Sequence, residues 1–340
     1  MGDLGKVVVT EIEGWEKDYL AAQPALAGWD VAYYADAVEG IAPAEREQMG
    51  VLSCFIRSQV DRQFLDQCPK LQFIATRSTG FDHIDMQACA ERGIVVSNVP
   101  VYGENTVAEH TFGLILALSR NVYAAVDRMK RGNLAIEGLM GFDLYGKTLG
   151  VVGAGKIGLH VIRIGRAMNM RVLAFDTRPQ GILAEVLGFE YRSLEEVLRE
   201  ADVVSLHVPL NPHTQRLLNA ERLAMMKPEA ILVNTSRGAV VDSAALLAML
   251  NEGKLAGAAL DVLEGEQVIS EDFVLSQEAG EGALDKLRLA VEAYQLMHHP
   301  KVLVTPHIAF YSREALQRIL RMTVDNVAAF EGGAAVNVVA

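Results

Sequence analysis

Short runs of Val, Ile and Leu alternate with helical segments along nearly the whole chain, and this alternation limits the possible folds most strongly. Strands alternating with helices form βαβ units and a mostly parallel sheet. Apolar runs without polar alternation are typical of strands that are covered on both faces. Two series of strands are predicted: first Lys6–Glu11, Val31–Tyr34, Val51–Phe55, Leu71–Thr76 and Ile94–Ser97, then Leu149–Val152, Val172–Phe175, Val203–Val208, Ile231–Asn234, Ala256–Asp261 and Val302–Thr305. The sequence therefore predicts an α/β protein with two doubly wound parallel-sheet domains and a cleft between them.

The helical segments between and after the two series predict how the domains are divided. Asn105–Arg131 is the longest helical pattern, and it is apolar on more than one face. We expect one long helix there, buried between two domains or two subunits. A last helix, Arg313–Phe330, should return to the first domain. The predicted domains are thus residues 1–103 plus 308–340, and residues 104–307 with a partly helical excursion at 267–299.

Charge and cysteine content exclude several classes of function. The 340 residues carry 31 Lys and Arg against 43 Asp and Glu, a net charge of −12. Nucleic acids and anionic membranes require a basic surface, so neither is expected as a partner. The cysteines, Cys54, Cys68 and Cys89, form no CxxC pair, and no apolar run approaches the roughly 18 residues of a membrane span. We predict a cytoplasmic protein.

A glycine motif, Gly153-Ala154-Gly155-Lys156-Ile157-Gly158, follows the apolar run LGVV and precedes a helical pattern. In a strand–turn–helix context, the first glycine allows a tight turn, the second allows a pyrophosphate to approach, and the third lets the helix pack on the strand. Lys156 and Ile157 would begin the helix, whose N-terminus favours anions. The motif therefore predicts a dinucleotide-binding domain of Rossmann type, beside a smaller flavodoxin-like domain.

Asp176 ends the next predicted strand, VLAFD. A carboxylate at this place can accept hydrogen bonds from the adenosine ribose hydroxyls and repel a 2′-phosphate. It favours NAD over NADP as the cofactor.

Several further strings, in the same order along the chain, resemble the D-isomer-specific 2-hydroxyacid dehydrogenase family. They are ATRSTGFDHID, NVPVYGENTVAEH, SLHVPLNPHT, Asn234-Thr235-Ser236-Arg237-Gly238, ALDVLEGE at 259–266 and Thr305-Pro306-His307. The segment HIAFYSREAL resembles the D-lactate dehydrogenase branch. The resemblance runs from about Val51 to the C-terminus.

The resemblance implies three catalytic residues: Arg237, Glu266 and His307. An arginine is always charged and can bind a substrate carboxylate. Imidazole titrates near neutral pH, so His307 suits a general acid and base. Glu266 would pair with this histidine and fix its ring. The family usually has Pro after the catalytic Glu, whereas Gln267 stands here. Because alternate residues of an extended chain point the same way, Glu264 is an equally spaced candidate for this carboxylate.

The resemblance also implies binding residues. Thr79 and Gly80 would meet the substrate carboxylate, with Tyr102 and Phe310 as walls around the substrate side chain. Arg57 and Arg77 are the remaining cations that would allow a phosphorylated substrate. Beyond the glycine motif and Asp176, cofactor contacts would come from Val208, Pro209, Thr214, Thr235, Ser236 and Asp261.

The function that these expectations describe is reduction of a 2-oxo acid by NADH, with pyruvate and D-lactate first. Alternatives are hydroxypyruvate, glyoxylate, phenylpyruvate or a branched-chain acid, or a protein that binds NAD(H) as a sensor. His207 and His213 lie across a loop, and His298 and His299 are adjacent, so neither pair has helix-face ligand spacing and no metal is predicted. The long apolar helix and its counterpart in the family favour a homodimer.

Overall fold

The computed structural model describes residues 5–266 and 283–339. The chain divides into two compact units, Met1–Gly103 with Tyr311–Ala340, and Glu104–Phe310. The chain returns to the first unit at Tyr311 rather than at the predicted residue 308. The reason is local, since the backbone N–H groups of Ile308 and Ala309 donate to the Asp261 carboxylate in the second unit.

The first unit contains a five-stranded parallel sheet in the order β2-β1-β3-β4-β5. All five predicted strands are present. The strands are β1 (Lys6–Val9), β2 (Val31–Tyr33), β3 (Met49–Cys54), β4 (Phe73–Thr76) and β5 (Val95–Ser97). The helices are α1 (Gly14–Ala21), α2 (Pro43–Arg46), α3 (Arg62–Leu65) and α4 (Met86–Glu91), with 3-10 turns at Pro24–Leu26 and Val38–Gly40.

Both faces of this sheet are buried, as continuous apolar strands require. Val8 and Leu52 belong to one apolar cluster, and their neighbours Val7 and Val51 belong to another. This division follows from the alternation of side chains along a strand. The C-terminal helix, Arg313–Glu331, packs in the second cluster, where the rings of Phe73 and Phe330 stack with centroids 4.3 Å apart.

The second unit contains a seven-stranded parallel sheet in the order β12-β11-β10-β9-β6-β7-β8. Its strands are β6 (Thr148–Val152), β7 (Arg171–Phe175), β8 (Glu190–Tyr191), β9 (Val203–Leu206), β10 (Ile231–Asn234), β11 (Gly257–Leu260) and β12 (Val302–Val304). The helices are α5 (Glu104–Ser119), α6 (Val122–Lys130), α7 (Lys156–Ala167), α8 (Gly181–Leu187), α9 (Leu194–Glu200), α10 (Ala220–Leu223), α11 (Ser243–Asn251) and α12 (Ala283–His298), with a 3-10 turn at Gly238–Val240; the C-terminal helix of the first unit is α13. The prediction of six strands missed β8, which has two residues and no apolar run.

The predicted single helix Asn105–Arg131 is wrong, because the chain breaks between α5 and α6. Asn121 has a left-handed backbone with φ +51°, a conformation that Asn tolerates better than most residues. Its side-chain amide donates to the carbonyls of Leu139 and Met140, and the Phe142 N–H donates to the Ser119 carbonyl. The segment of residues 139–142 therefore caps the end of α5. Residues 108, 112 and 115 of α5 are buried, whereas α6 has no buried residue.

Parallel strands bring their following loops to one edge of the sheet. In the second unit, the loops after β6, β9, β10, β11 and β12 all lie at this carboxyl edge, and the strand order reverses between β6 and β9. Ligands of open α/β sheets bind at such a switch point. Of the predicted excursion, α12 is helical, and residues 267–282 lie outside the described residues.

Candidate active site

The glycine motif forms the turn between β6 and α7. Gly153 has φ +97°, and a Cβ there would lie 2.6 Å from the His207 carbonyl oxygen. A Cβ on Gly158 would lie 2.0 Å from the Gly153 carbonyl oxygen, so neither position has room for a side chain. Gly155, in contrast, has open space around its Cα and is the N-cap of α7, without a side chain to cap the helix. This leaves the N–H groups of Lys156 and Ile157 for another acceptor, as a pyrophosphate site requires.

Asp176 follows β7 and lies against the glycine turn. Its carboxylate accepts a hydrogen bond from the Ala154 N–H at 2.8 Å and another from the Arg178 N–H at 2.8 Å. The carboxylate is therefore held beside the glycine turn, at the strand end where an acidic residue meets the ribose in folds of this kind. Together these residues fit an adenine dinucleotide.

The loop after β9 lies on the other side of the glycine turn. Thr214 closes this loop, since its hydroxyl donates to the Pro209 carbonyl at 2.5 Å and accepts from the Asn211 N–H at 2.8 Å. Val208 is half-buried and Pro209 is exposed. The cofactor contacts expected of Val208, Pro209 and Thr214 remain a prediction.

His207 begins the same loop and is half-buried. Its Nε2 lies 2.8 Å from the Ser205 hydroxyl, and burial lowers the pKa of His207 to about 3. Its Nδ1 is buried and has no hydrogen-bond partner among the residues that the structure describes.

The loop after β10 carries Arg237, and side chains of the loop fix its backbone. The Asn234 amide nitrogen donates to the Arg237 carbonyl at 2.9 Å, while the Asn234 amide oxygen accepts from the N–H and hydroxyl of Ser236. Thr235 is buried, with its hydroxyl 2.9 Å from that of Thr111 on α5. Thr235 and Ser236 thus hold the loop in shape, and their predicted cofactor contacts remain a prediction.

Gly238 joins this loop to the one after β11. A Cβ on Gly238 would lie 2.0 Å from the Leu263 carbonyl carbon and 2.4 Å from the Glu264 nitrogen. The two backbones are therefore in direct contact, and only glycine fits between them. The loop with Arg237 and the loop with Glu266 therefore pack directly against each other.

The two candidate carboxylates have different partners. Glu264 is buried, and its carboxylate accepts from the Arg216 guanidinium at 3.0 Å. The Glu266 carboxylate lies 3.0 Å from His307 Nδ1 and also accepts from the Leu263 N–H at 3.2 Å. The turn at Gly265, with φ +76°, separates their directions, so the extended spacing assumed from the sequence does not hold.

Asp261 ends β11 and is only 1% exposed. Burial alone would raise the pKa of Asp261, but hydrogen bonds from His110, Thr305, Ala309 and Ile308 outweigh it and hold the pKa below its usual value. The Thr305 hydroxyl lies 2.5 Å away, and the Ile308 and Ala309 N–H groups donate at 2.9 and 2.8 Å. The carboxylate is directed at the chain around His307, and the predicted contact with the nicotinamide half of the cofactor remains a prediction.

His307 has a left-handed backbone, with φ +54°. Its N–H donates to the carbonyls of Asp261 and Thr305, both at 2.9 Å. The ring meets the Phe310 ring edge-on, with centroids 6.3 Å apart. A non-glycine residue in this region is uncommon and often marks a functional position. The arrangement engages Nδ1 with Glu266, and the role of His307 as a general acid and base remains a prediction.

The remaining predicted substrate residues lie in the first unit, in loops at the carboxyl edge of its sheet. The Thr79 hydroxyl donates to the Val99 carbonyl at 2.7 Å, and the Asn98 amide donates to the Thr79 carbonyl at 2.8 Å. The Gly80 carbonyl accepts from the Ser78 hydroxyl at 2.6 Å. The Tyr102 carbonyl accepts from the Arg318 guanidinium. The loop of Ser78–Gly80 is thus held on both sides by short hydrogen bonds.

Arg77 and Arg57 have structural partners. Arg77 is buried, and its guanidinium donates to the carbonyls of Thr10 and Glu11 at 2.6 and 2.9 Å. Arg57 is exposed and lies 3.4 Å from the Glu11 carboxylate. Arg77 therefore ties two loops together rather than presenting its charge to a ligand.

The described residues contain no group of three or more His, Cys, Asp or Glu side chains that could hold a metal ion. In the same part of the chain, no helix combines the length and apolar character needed to cross a membrane.

Comparison with known proteins decides the family. The family described as "D-isomer specific 2-hydroxyacid dehydrogenase, NAD binding domain" matches residues 112–309. The chain belongs to the D-isomer specific 2-hydroxyacid dehydrogenase family. It is accordingly an NAD-dependent oxidoreductase, and the predicted family, fold class and cofactor are confirmed.

The chain aligns with named relatives over most of its own length and of theirs. A D-lactate dehydrogenase of Escherichia coli (strain K12) is 34% identical over 330 residues, 96% of this chain and 97% of the relative. A glyoxylate reductase of Pyrococcus furiosus is 36% identical over 294 residues, 84% of this chain and 81% of the relative. The structure of a D-lactate dehydrogenase from Aquifex aeolicus, complexed with NAD and lactic acid, superposes with a TM-score of 0.84 at 36% identity over 96% of each chain.

Sequence reasoning assigned no role to three groups that organise this site. They are His110 on α5, the Thr305 hydroxyl and the Arg216–Glu264 ion pair. His110 and Thr305 stand inside the motifs that carried the resemblance, but only the folded chain shows that both reach Asp261.

The neutral His207 predicts an acid-dependent loss of stability. Because burial lowers its folded pKa to about 3, the unfolded chain binds a proton below about pH 6.5 while the folded chain does not. The free energy of unfolding should therefore fall as the pH drops from about 6.5 towards 3. We expect His207→Gln to flatten the fall of Tm over this range, measured by circular dichroism, whereas His213→Gln on the exposed part of the same loop leaves it unchanged. Equal pH slopes for wild type and His207→Gln would contradict this.

Proposed function

We propose that this chain reduces a small 2-oxo acid, pyruvate first, to the D-2-hydroxy acid with NADH. The observation that carries the proposal is the pair of Glu266 and His307 Nδ1 at 3.0 Å, next to the loop that carries Arg237. The D-lactate dehydrogenases of Escherichia coli and Aquifex aeolicus support pyruvate as the substrate. The glyoxylate reductase of Pyrococcus furiosus supports glyoxylate as the second candidate substrate.

The chemistry needs a cation, an acid and a hydride. Bound NADH supplies the hydride. Arg237 binds the substrate carboxylate with its guanidinium, a geometry suited to two parallel hydrogen bonds. His307 donates the Nε2 proton to the ketone oxygen as negative charge develops there, and takes it back in the reverse reaction. Glu266 holds the ring through Nδ1 and fixes its orientation.

An unphosphorylated substrate fits the charges better than a phosphorylated one. The Arg77 guanidinium is hydrogen-bonded to backbone carbonyls, and Arg57 lies beside the Glu11 carboxylate. The second unit would bind the anionic end of the substrate through Arg237. We also infer a cytoplasmic location, as the sequence suggested.

NADH oxidation followed by absorbance tests the function. Pyruvate, glyoxylate, hydroxypyruvate, phenylpyruvate and 2-oxoisocaproate are compared, with chiral analysis of the product. We expect pyruvate to be preferred and D-lactate to form. His307→Ala and Arg237→Ala should lower kcat/KM by about 10²–10⁴-fold, while the Kd for NADH changes little.

His298→Ala, at an exposed position on α12, is the matched control and should keep wild-type turnover. Near wild-type turnover of His307→Ala would remove the general acid from the proposal. Tight NADH binding with no turnover of any 2-oxo acid would favour the sensor instead.

Separate substitutions distinguish the two carboxylates. Glu266→Gln replaces the carboxylate that contacts His307 Nδ1, so kcat/KM should fall while Tm changes little. Glu264→Gln should keep most of kcat/KM and instead lower Tm, because it breaks the ion pair with Arg216. A large loss of kcat/KM in Glu264→Gln alone would reverse the assignment.

We further infer a homodimer from an apolar surface of the second unit. The exposed residues of this surface on α6 and the chain after it are Val122, Tyr123, Val126, Met129, Leu134, Ile136 and Met140. A depression of about 420 Å³ between Ala125, Val126, Met129 and Lys130 interrupts the face of α6. Contiguous exposed apolar patches mark association sites, and closed twofold pairing is the commonest form of self-association.

Light scattering across a wide concentration range tests the dimer. The wild-type protein should have twice the 37.0 kDa mass of one chain. Val126→Asp combined with Met129→Lys should give the single-chain mass, whereas Ile182→Asp, at a still more exposed apolar residue of α8, should not. A wild-type monomer at every concentration would refute the proposal.

A further inference from the structure

His110 lies on α5, at a buried polar cluster behind the catalytic histidine. Its Nε2 is 3.2 Å from the Thr305 hydroxyl and 3.5 Å from the nearer carboxylate oxygen of Asp261. The His110 side chain is 23% exposed, whereas the Asp261 side chain is almost fully buried. The ring is therefore placed to act on Thr305 and Asp261 rather than on solvent.

The direction of each hydrogen bond follows from the count of protons. Asp261 is ionised and can only accept, so the single hydroxyl proton of Thr305 is donated to Asp261 across 2.5 Å. The Thr305 oxygen can then only accept from His110. Consequently, Nε2 of His110 carries a hydrogen and donates to the cluster.

The cluster ends at the backbone on either side of His307. The Asp261 carboxylate accepts from the N–H groups of Ile308 and Ala309, and the Asp261 carbonyl accepts from the His307 N–H. These bonds hold His307 in its left-handed conformation. Loss of a hydrogen-bond donor to the Asp261 carboxylate would therefore alter the turn that orients the His307 imidazole.

We propose that His110 is a positioning residue for His307. Its Nε2–H orients the Thr305 hydroxyl and the Asp261 carboxylate, and they in turn hold the turn that carries the general acid. In this role His110 acts on the general acid through Thr305 and Asp261. The inference rests on the proposed role of His307.

Two variants of His110 separate hydrogen bonding from packing. His110→Gln keeps an N–H donor at the reach of Nε2, whereas His110→Leu keeps bulk without a donor. A general acid displaced by about 1 Å loses up to about 100-fold in rate. We therefore expect His110→Leu to lower kcat about 10–100-fold with little change in KM or in the Kd for NADH, and His110→Gln to restore most of kcat. His298→Leu serves as the matched control.

A spectroscopic measurement tests the positioning without turnover. In protein with ¹⁵N-labelled histidines, the ring signals of His307 are identified by their loss in His307→Asn. They should move in His110→Leu and stay near their wild-type positions in His110→Gln and His298→Leu. If His110→Leu does not fold, Thr305→Val against Thr305→Ser replaces the pair with the same expectation, since serine keeps the hydroxyl.

The outcomes distinguish this inference from the proposed function. Unmoved His307 signals and wild-type kcat in His110→Leu, or equal losses in the Leu and Gln variants, overturn the positioning role. Moved signals in a protein that reduces no 2-oxo acid support the positioning role and overturn the proposed function.

Discussion

The buried carboxylate of Asp261 is the interaction on which the second unit's site depends. An isolated buried charge costs several kcal/mol, and here four donors offset that cost: the Thr305 hydroxyl, the His110 ring and two backbone N–H groups. The donors come from α5 and from the chain after β12. One carboxylate thus joins α5 to the segment after β12, although the two are far apart in sequence. The same bonds maintain the left-handed backbone of His307, a conformation that costs about 1–3 kcal/mol.

Two kinds of candidate binding site lie at the carboxyl edge of the second unit's sheet. On the side of β6 and β7, backbone N–H groups, a helix N-terminus and Asp176 fit a dinucleotide. On the side of β10 to β12, charged side chains dominate: Arg237, Glu266 and His307. Backbone N–H groups suit phosphates, whose charge stays the same through the reaction, whereas an ionisable side chain suits an oxygen that gains or loses a proton.

Much of the fold could be predicted from the sequence because the apolar strands are buried on both faces and carry their own signal. The strand β8 was missed since two residues at the sheet edge need no apolar run. The break at Asn121 was missed because its cause, residues 139–142 bonded to the end of α5, is remote in sequence. In the site, the residue types were predictable but not their partners: the turn at Gly265 decides between Glu264 and Glu266, and the reach of His110 to Asp261 exists only after α5 packs on the sheet.

The contact between Gly238 and the Leu263–Glu264 backbone has a consequence for engineering. Because the two loops touch without an intervening side chain, neither can be lengthened or shortened without pushing on the other. Exchanging side chains along these loops would leave this backbone contact in place. Inserting or deleting a residue in either loop would displace the Arg237 guanidinium and the Glu266 carboxylate together.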